Sequence, residues 1–354
     1  MALSMRAIIP ERRRARRSSA ASPSHSATPT FGAIQRDRAN YRDARMRALV
    51  VSNMQPDRAH PQRGRFVRDQ VDALRTIGGV DVELYEFPPG RRALLGAAWS
   101  LRRRYRRERW DIIHAHFGLT AWPALAVRAR VRALTVHGTD LSHPRTRKLT
   151  ARAIPRMDIL AAASAPLAQR LPVESERALV LPCGVDLVRF HRIPRAQARA
   201  ELKLDPDEPF VLFLASPSRT EKHYDQALML ARDADVEVRA LYNVDPELVA
   251  QWVNAANAVL VPSAREGFGL AVLEALACDV PVLATPVGIH PQALRDVAGT
   301  LCAPFDLAVW RDALAPHLRD PDPRIAGRSH AEPFSAPRMA QRVLDAWRAA
   351  LERT

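Results

Sequence analysis

Pro262-Ser263-Ala264-Arg265-Glu266-Gly267-Phe268-Gly269-Leu270-Ala271-Val272-Leu273-Glu274-Ala275-Leu276-Ala277 is the stretch whose reading decides the fold. The apolar residues before it, Ala258 to Val261, read as a buried strand stopped by Pro262 and Ser263. After it, Leu270, Leu273 and Ala277 recur at helical spacing among good helix formers. A second buried strand, Val280 to Ala284, follows. The order is strand, glycine loop, helix, strand. That is a βαβ unit whose loop lies at the carboxyl end of its first strand, where open α/β sheets bind ligands.

Gly267 and Gly269 allow a close backbone approach, and the free N–H groups at the helix start suit a phosphate. Glu266 in the turn and Glu274 in the helix bracket the loop. Carboxylates repel a phosphate, so both are better placed as acceptors for sugar or ribose hydroxyls. A solvated helix with helix-forming glutamates is the competing reading. It is disfavoured because Glu274 is embedded in an apolar run, where a charge is costly without a partner.

The run from Ala256 to Gly288 resembles the signature of the retaining family-4 glycosyltransferases of GT-B fold, "PSxxEGFGxxxLEAxAxxxPVxAxxVG". The resemblance implies an α/β fold of two Rossmann-like domains facing across a cleft, with a C-terminal helix crossing back. It also implies that Glu266 touches donor-sugar hydroxyls and Glu274 the nucleotide ribose. Gly267, Phe268, Gly269 and Leu270 complete the donor loop.

Length and composition agree with that plan. The 354 residues suggest two domains and ample core, and a hydrophobic share of 47% is that of a globular protein. No run of 18 uncharged apolar residues occurs, so no transmembrane helix is expected. Cys183, Cys278 and Cys302 fit neither a disulfide framework nor a zinc pattern, which suits a reducing cytosol. The net charge of +15 favours anionic partners such as nucleotide-sugars, lipid headgroups or nucleic acid. Part of it sits in residues 1–45, an Arg-, Ser- and Pro-rich extension that reads as disordered and carries no apolar signal core.

From Met46 onward the chain reads as alternating strands and helices. The expected domains are residues 46–205 for the acceptor, 206–333 for the nucleotide-sugar, and a helix over 334–354 returning to the first. Arg47 to Ser52 is a buried strand. A loop containing Gly64 leads to a helix over residues 66–76, and the resemblance puts Gly64 near donor or acceptor, a plain turn being the equal alternative. A helix over residues 91–109 buries Leu94, Ala98, Leu101 and Tyr105 and carries Arg102, Arg103, Arg104, Arg106, Arg107 and Arg109, with Trp99 and Trp110 nearby. It reads either as an interfacial helix for anionic lipid or as a packed helix with a solvated arginine face, the second being favoured.

Asp111 to Gly118 is a strand that puts His114 and His116 on one face. A metal pair is discounted for want of a third ligand. The resemblance to a "DxxHxH" strand places His116 near the cleft. His137-Gly138-Thr139-Asp140 resembles the family's "HGxD" turn, whose histidine lies close to the reacting sugar. Ser164 is expected to cap a helix. Cys183 to Phe190 resembles "NGVDxxxF", with cysteine for asparagine, and reads as structural. Residues 191–208 read as a linker. After the strand Phe210 to Leu214, the resemblance matches Arg219 and Lys222 to the cations that neutralise the donor diphosphate, at a closer spacing than in many relatives. Strand Val236 to Val244 passes almost directly to the Ala258 strand, so the part that helps read the base is short.

The resulting expectation is a retaining, metal-independent hexosyltransferase. It would move a sugar from a UDP- or GDP-linked donor to a glycan or lipid-linked acceptor hydroxyl in bacterial cell-surface polysaccharide or glycolipid synthesis. His137 and Glu266 would be catalytic, and no cofactor beyond the nucleotide-sugar would be needed. The Asp-x-Asp triplets at 205, 233 and 320 fall in linkers or helix ends and are discounted as metal sites. The expected place is the cytoplasm, or the inner face of the cell membrane as a peripheral protein. A nucleotide-sugar 2-epimerase of the same fold is the enzyme alternative. A basic nucleic-acid-binding protein is the alternative from another class, disfavoured because the arginines cluster in a tail and one helix and no nucleic-acid motif occurs.

Overall fold

The computed structural model describes residues 45–173 and 177–354, so the expected disordered extension lies outside the described residues. Strands β1 (Met46–Ser52), β2 (Val80–Glu86), β3 (Trp110–His116), β4 (Ala129–Val136), β5 (Ile159–Ala162) and β6 (Ala178–Val180) form one parallel sheet in the order β2-β1-β3-β4-β5-β6. Strands β7 (Phe210–Phe213), β8 (Glu237–Ala240), β9 (Ala258–Val261), β10 (Val282–Ala284) and β11 (Leu301–Cys302) form a second, β11-β10-β9-β7-β8. This is the expected α/β plan of two Rossmann-like halves.

The helices that position the site and the core are α1 (Arg65–Ile77), α2 (Arg91–Arg104), α3 (Arg195–Leu202), α4 (Tyr224–Asp233), α5 (Val249–Ala255), α6 (Leu270–Ala277), α7 (Leu307–Arg319) and α8 (Ala336–Glu352). Parallel strands covered on both faces need continuous apolar runs, and β1 and β9 supply them. Alternation then sends neighbours to opposite layers. Ala48 and Val50 pack with Val67, Val71 and Leu74 of α1, while Leu49 and Val51 pack with Ala97 and Leu101 of α2. The closing helix α8 buries Met339, Val343 and Trp347 in the α1 layer of the first sheet, so the chain does return to its first half.

Both sheets change direction of winding beside their first strand, at β1/β3 and at β7/β9. Loops leaving the carboxyl ends of those four strands therefore lie beside a crevice of the kind that holds ligands. They are residues 53–64, 117–120, 214–223 and 262–269, and they contain most of the residues singled out from the sequence.

Several local expectations need correcting. The arginine-rich helix α2 stops at Arg104: Tyr105, nearly fully buried, leaves the helical conformation with φ −109° and ψ 19°, and Arg106, Arg107 and Arg109 follow in turn and loop. Strand β8 spans only Glu237–Ala240, and Asn243 takes a left-handed φ of 56° soon after. The presumed linker contains α3, which packs against α5 of the second half. Arg199 of α3 is buried there, donating to the carbonyls of Ala255, Asp205 and Pro206 and to Asn257. The stretch reads as a linker in sequence, but its guanidinium satisfies buried carbonyls.

Candidate functional site

The loop after β9 is held against the first half of the molecule by backbone contact. A Cβ placed on Gly267 would come within 1.9 Å of the His137 carbonyl oxygen, and one on Gly138 within 3.1 Å of Gly267 Cα. Ser164, expected to cap a helix, makes no capping bond; its hydroxyl donates to the Gly267 carbonyl at 2.8 Å. Gly269 has a φ of 123°, and a Cβ there would meet the His290 ring at 2.6 Å. The two glycines thus serve protein–protein closeness within the cleft as well as leaving helix α6 free to start at Leu270.

Glu266 is sequestered at the centre of this contact. Lys222 Nζ donates to its Oε1 at 2.5 Å and Ser263 Oγ at 2.8 Å. Side-chain exposures of 14% and 10% make the Lys222–Glu266 pair nearly solvent-free. Burial alone would raise this carboxyl, but the ammonium and its hydrogen bond hold it below the usual range. The sequence placed Lys222 on phosphate and Glu266 on sugar; the structure joins them directly. Arg219, half-exposed nearby, is bidentate to Glu221 through Nε and Nη2 at 3.0 and 2.8 Å.

Beyond the loop, a cavity of about 880 Å3 opens between the carboxyl ends of the two sheets. Arg219, Leu270 and Glu274 of the expected donor set line it, with Gln62, Arg65 and Phe66 on the opposite wall. Gly64, Lys222, Glu266, Gly267, Phe268, Gly269, His116 and His137 do not. A Cβ on Gly64 would run into the Met54 carbonyl at 2.4 Å, so that glycine serves its own loop and the left-handed start of α1. Phe268 is buried edge-on to Phe334. Burial pushes the Glu274 carboxyl up to about 7, against the pull of Arg189 and with a smaller push from Asp69.

Arg189 and Asp69 are functional candidates that sequence reasoning missed. Arg189 grips Asp69 through two hydrogen bonds, 2.8 and 3.2 Å, with both side chains 10% exposed. Arg65 adds a third at 2.8 Å. Both Asp69 and Arg189 line the cavity. The segment read as purely structural therefore also builds its wall. The one signal in the sequence was an arginine directly before the buried Phe190. Across the opening, Arg65 reaches Glu247 at 2.8 Å and Gln62 reaches Asn243 at 3.0 Å, tying the two halves together.

On the first-half wall, the turn Gly138–Asp140 is organised by a buried carboxylate. Asp140 accepts from the backbone N–H groups of Gly118, His137 and Gly138 at 2.8 to 3.2 Å. Burial raises its pKa despite those bonds. His137 is carried between the rings of Phe66 and Phe117, with centroids 4.8 and 4.7 Å away. His116 Nδ1 and His137 Nε2 are 3.0 Å apart, and His114 lies against His116. Burial pushes His114 and His137 down to about 3 and His116 well below its ordinary value. All three are neutral at neutral pH. Among the described residues no group of three or more His, Cys, Asp or Glu side chains is arranged to hold a metal ion.

Comparison with known proteins agrees with this architecture. The family model described as Glycosyltransferase Family 4 matches residues 42–189, and the one described as Glycosyl transferases group 1 matches 196–329. The chain is similar to D-inositol 3-phosphate glycosyltransferases from Nocardia farcinica, 30% identical over 302 residues covering 68% of this chain and 67% of that one, and from Actinosynnema mirum, 33% identical over 293 residues covering 68% of each. Among solved structures, sucrose-phosphate synthase from Thermosynechococcus elongatus superposes with a TM-score of 0.69 at 20% identity, covering 88% of this chain and all of that one. Anabaena HepE in complex with UDP and glucose superposes with a TM-score of 0.63 at 15% identity, covering 86% and 100%. These two are likenesses of fold.

Proposed function

The chain belongs to glycosyltransferase family 4 and is a glycosyltransferase of GT-B fold, and from that premise we propose that it moves a hexosyl group from a UDP- or GDP-linked donor to an acceptor hydroxyl with the anomeric configuration retained. The observation that carries the reading is the grouping of Glu274 and Leu270 on the cavity wall, on the helix that follows the loop of the Glu266–Lys222 pair, at the carboxyl ends of β7 and β9. In this reading the donor sits on the second half. The N–H groups over Gly267 to Leu270 and the cations Arg219 and Lys222 take the diphosphate, Glu274 the ribose and Glu266 the sugar.

Catalysis is then positioning plus charge stabilisation. As the glycosidic C–O bond breaks, negative charge grows on the departing diphosphate and the fixed cations stabilise it. That phosphate oxygen takes the proton of the acceptor hydroxyl, which attacks on the same face. His137 lines the reacting side as a neutral hydrogen-bonding ring. The acceptor approaches from the first half, past Phe66 and the residue 53–64 loop. A glycan, a lipid-linked sugar or, by likeness to the relatives' stated substrate, a phosphorylated inositol is the class to try, in bacterial cell-surface polysaccharide or glycolipid synthesis.

Peripheral contact with an anionic membrane at the inner face of the cell membrane is supported by one surface. Arg102, Arg103, Arg106, Arg128 and Arg132 surround a cavity of about 660 Å3 beside the end of α2, and none of them pairs with an acid among the described residues. Leu95 and Trp99 of the same helix are 76% and 65% exposed. No helix of the described residues is long and apolar enough to cross a membrane.

The deciding experiment is nucleotide release over a panel of sugar nucleotides with candidate acceptors, comparing wild type with Glu274→Ala and Lys222→Ala. Turnover unchanged in both variants refutes the site, and an inverted product anomer refutes retention. Turnover without acceptor points to an epimerase instead. Sedimentation with and without anionic liposomes tests the surface, and no dependence on anionic lipid refutes it.

A further inference from the structure

Three neutral histidines carry one N–H each, and their surroundings determine where those hydrogens go. His114 Nε2 lies 2.8 Å from Thr135 Oγ1, and its Nδ1 is buried without a partner. His116 is 1% exposed, its Nδ1 faces His137 Nε2 at 3.0 Å, and its Nε2 is buried without a partner. The His116 and His137 planes are 17° apart and their centroids 5.2 Å apart. That separation exceeds the 3.0 Å between the nitrogens by about two ring radii, so the rings meet edge to edge in one plane, the geometry of a direct N–H···N bond. His137 Nδ1 makes no hydrogen bond in the described chain and is not among its sealed-off atoms, so it keeps some exposed surface, on a ring that lies against Phe66 of the cavity wall.

Two proton arrangements fit that contact. In one, His116 holds its hydrogen on Nδ1 and donates to His137 Nε2, leaving only a lone pair at the sealed Nε2. In the other, the hydrogen sits on His116 Nε2, where a buried donor has nothing to bond. An orphaned N–H is the costlier defect, so the first arrangement holds. His137 Nε2 is then an acceptor, and its own hydrogen must lie on Nδ1.

We propose that His116 is a positioning residue that fixes the tautomer of His137, so that an Nδ1–H donor and not a lone pair faces the cleft. Resting on the transferase reading above, this assigns the ligand group at that position as a hydrogen-bond acceptor: a sugar oxygen or a phosphate oxygen. The interaction needs no protonated imidazole, which suits a wall where burial keeps these rings uncharged. A ligand offering only a donor there would leave two hydrogens opposed.

The test is a 1H–15N correlation across the imidazole rings of the 15N-histidine-labelled full chain, without substrate, with His137 assigned by loss of its signal in His137→Gln. The expected result is a protonated Nδ1 and bare Nε2 on His137. In His116→Phe, which removes the donor, the hydrogen should shift toward Nε2, with kcat/KM falling about tenfold, the size of one neutral hydrogen bond reversed. His116→Asn, whose amide N–H takes the place of Nδ1–H, should restore both. A wild-type His137 protonated on Nε2 overturns the proposal even if neither variant folds, and so does a tautomer unmoved in His116→Phe. The correct tautomer in a protein that transfers no sugar defeats the transferase reading and leaves this one standing.

Discussion

Two parts of the cleft, the Glu266–Glu274 side of the second-half wall and the His137 turn of the first-half wall, differ in electrostatics. On the second-half wall the polar groups are two ion pairs, Lys222 on Glu266 and Arg219 on Glu221, and the Glu274 carboxyl, raised to about 7. On the first-half wall the groups around His137 are uncharged rings and backbone amides, with the Asp140 carboxylate turned inward onto three N–H groups, and the ions of that half, Arg65, Asp69 and Arg189, are gathered in one cluster at the cavity. A wall that meets a diphosphate must carry charge through the reaction, while a wall that orients hydroxyls works with neutral donors. The contrast teaches that hydrogen-bond direction on one side and charge balance on the other are separate requirements, and each can be broken alone.

The largest expected effect comes from the charged wall. Lys222→Ala leaves Glu266 buried without its counter-ion, which costs about 3 kcal/mol of stability in urea unfolding. It also removes a cation from the departing phosphate, and kcat should fall about 1000-fold. Lys222→Met combined with Glu266→Gln should recover most of the stability and none of the activity. If the double variant stays as unstable as the single one, the pair is not what the charged wall is built around.

Next is the seam where the walls touch. Gly267→Ala sets a Cβ 1.9 Å from the His137 carbonyl, backbone against backbone, so the two halves must separate. Misplacement on that scale costs about 100-fold in kcat/KM. Small-angle scattering should show a more open molecule. Gly269→Ala meets a side chain, His290, and also strains a φ of 123°, so it should lower stability more than it opens the cleft.

Glu274 shows how far the charged wall depends on pH. Its carboxyl is raised from 4.5 to about 7, so between those values the folded state holds more proton than the unfolded one. Stability therefore falls as pH rises through that window, by up to about 3 kcal/mol, and levels off above 7. Glu274→Gln should remove that fall: the variant gains on wild type between pH 5 and pH 8 in urea titrations. Its kcat/KM should drop about tenfold through the lost ribose acceptor. A wild type with no slope in this window shows that Glu274 keeps its charge, and the cavity is then wetter than its lining suggests.

How much of this was legible depended on sequence distance. The loop after β9, helix α6 and the next strand follow from one local pattern, and their bounds hold to within two residues because each element's period and stop signal lie inside it. The pairings that give these residues their surroundings are long-range. Lys222 and Glu266 are 44 residues apart, Ser164 and Gly267 are 103 apart, and Arg189 and Asp69 are 120 apart. Periodicity carries no information about such contacts. Arg189 lies in a segment that reads as structural and Ser164 reads as a helix cap, because both signals are local while the partners are not. Gly267 was read for a ligand's closeness when the backbone it admits belongs to the protein itself.

Ser164→Ala is the smallest and most specific break. Its hydroxyl bond to the Gly267 carbonyl joins the neutral wall to the loop of the charged one without any charge of its own. Losing it leaves a carbonyl in a partly buried seam, worth about 1 kcal/mol, and Tm should fall by about 2 °C. If the two walls function as one unit, the same change should loosen the closed state and raise KM for the donor about threefold with kcat nearly untouched, because the charges that act on the departing phosphate stay in place. If kcat falls with KM unchanged, the hydroxyl is felt at the reacting centre, and the division between a charged wall that drives the reaction and a neutral wall that positions the substrates does not hold at this seam.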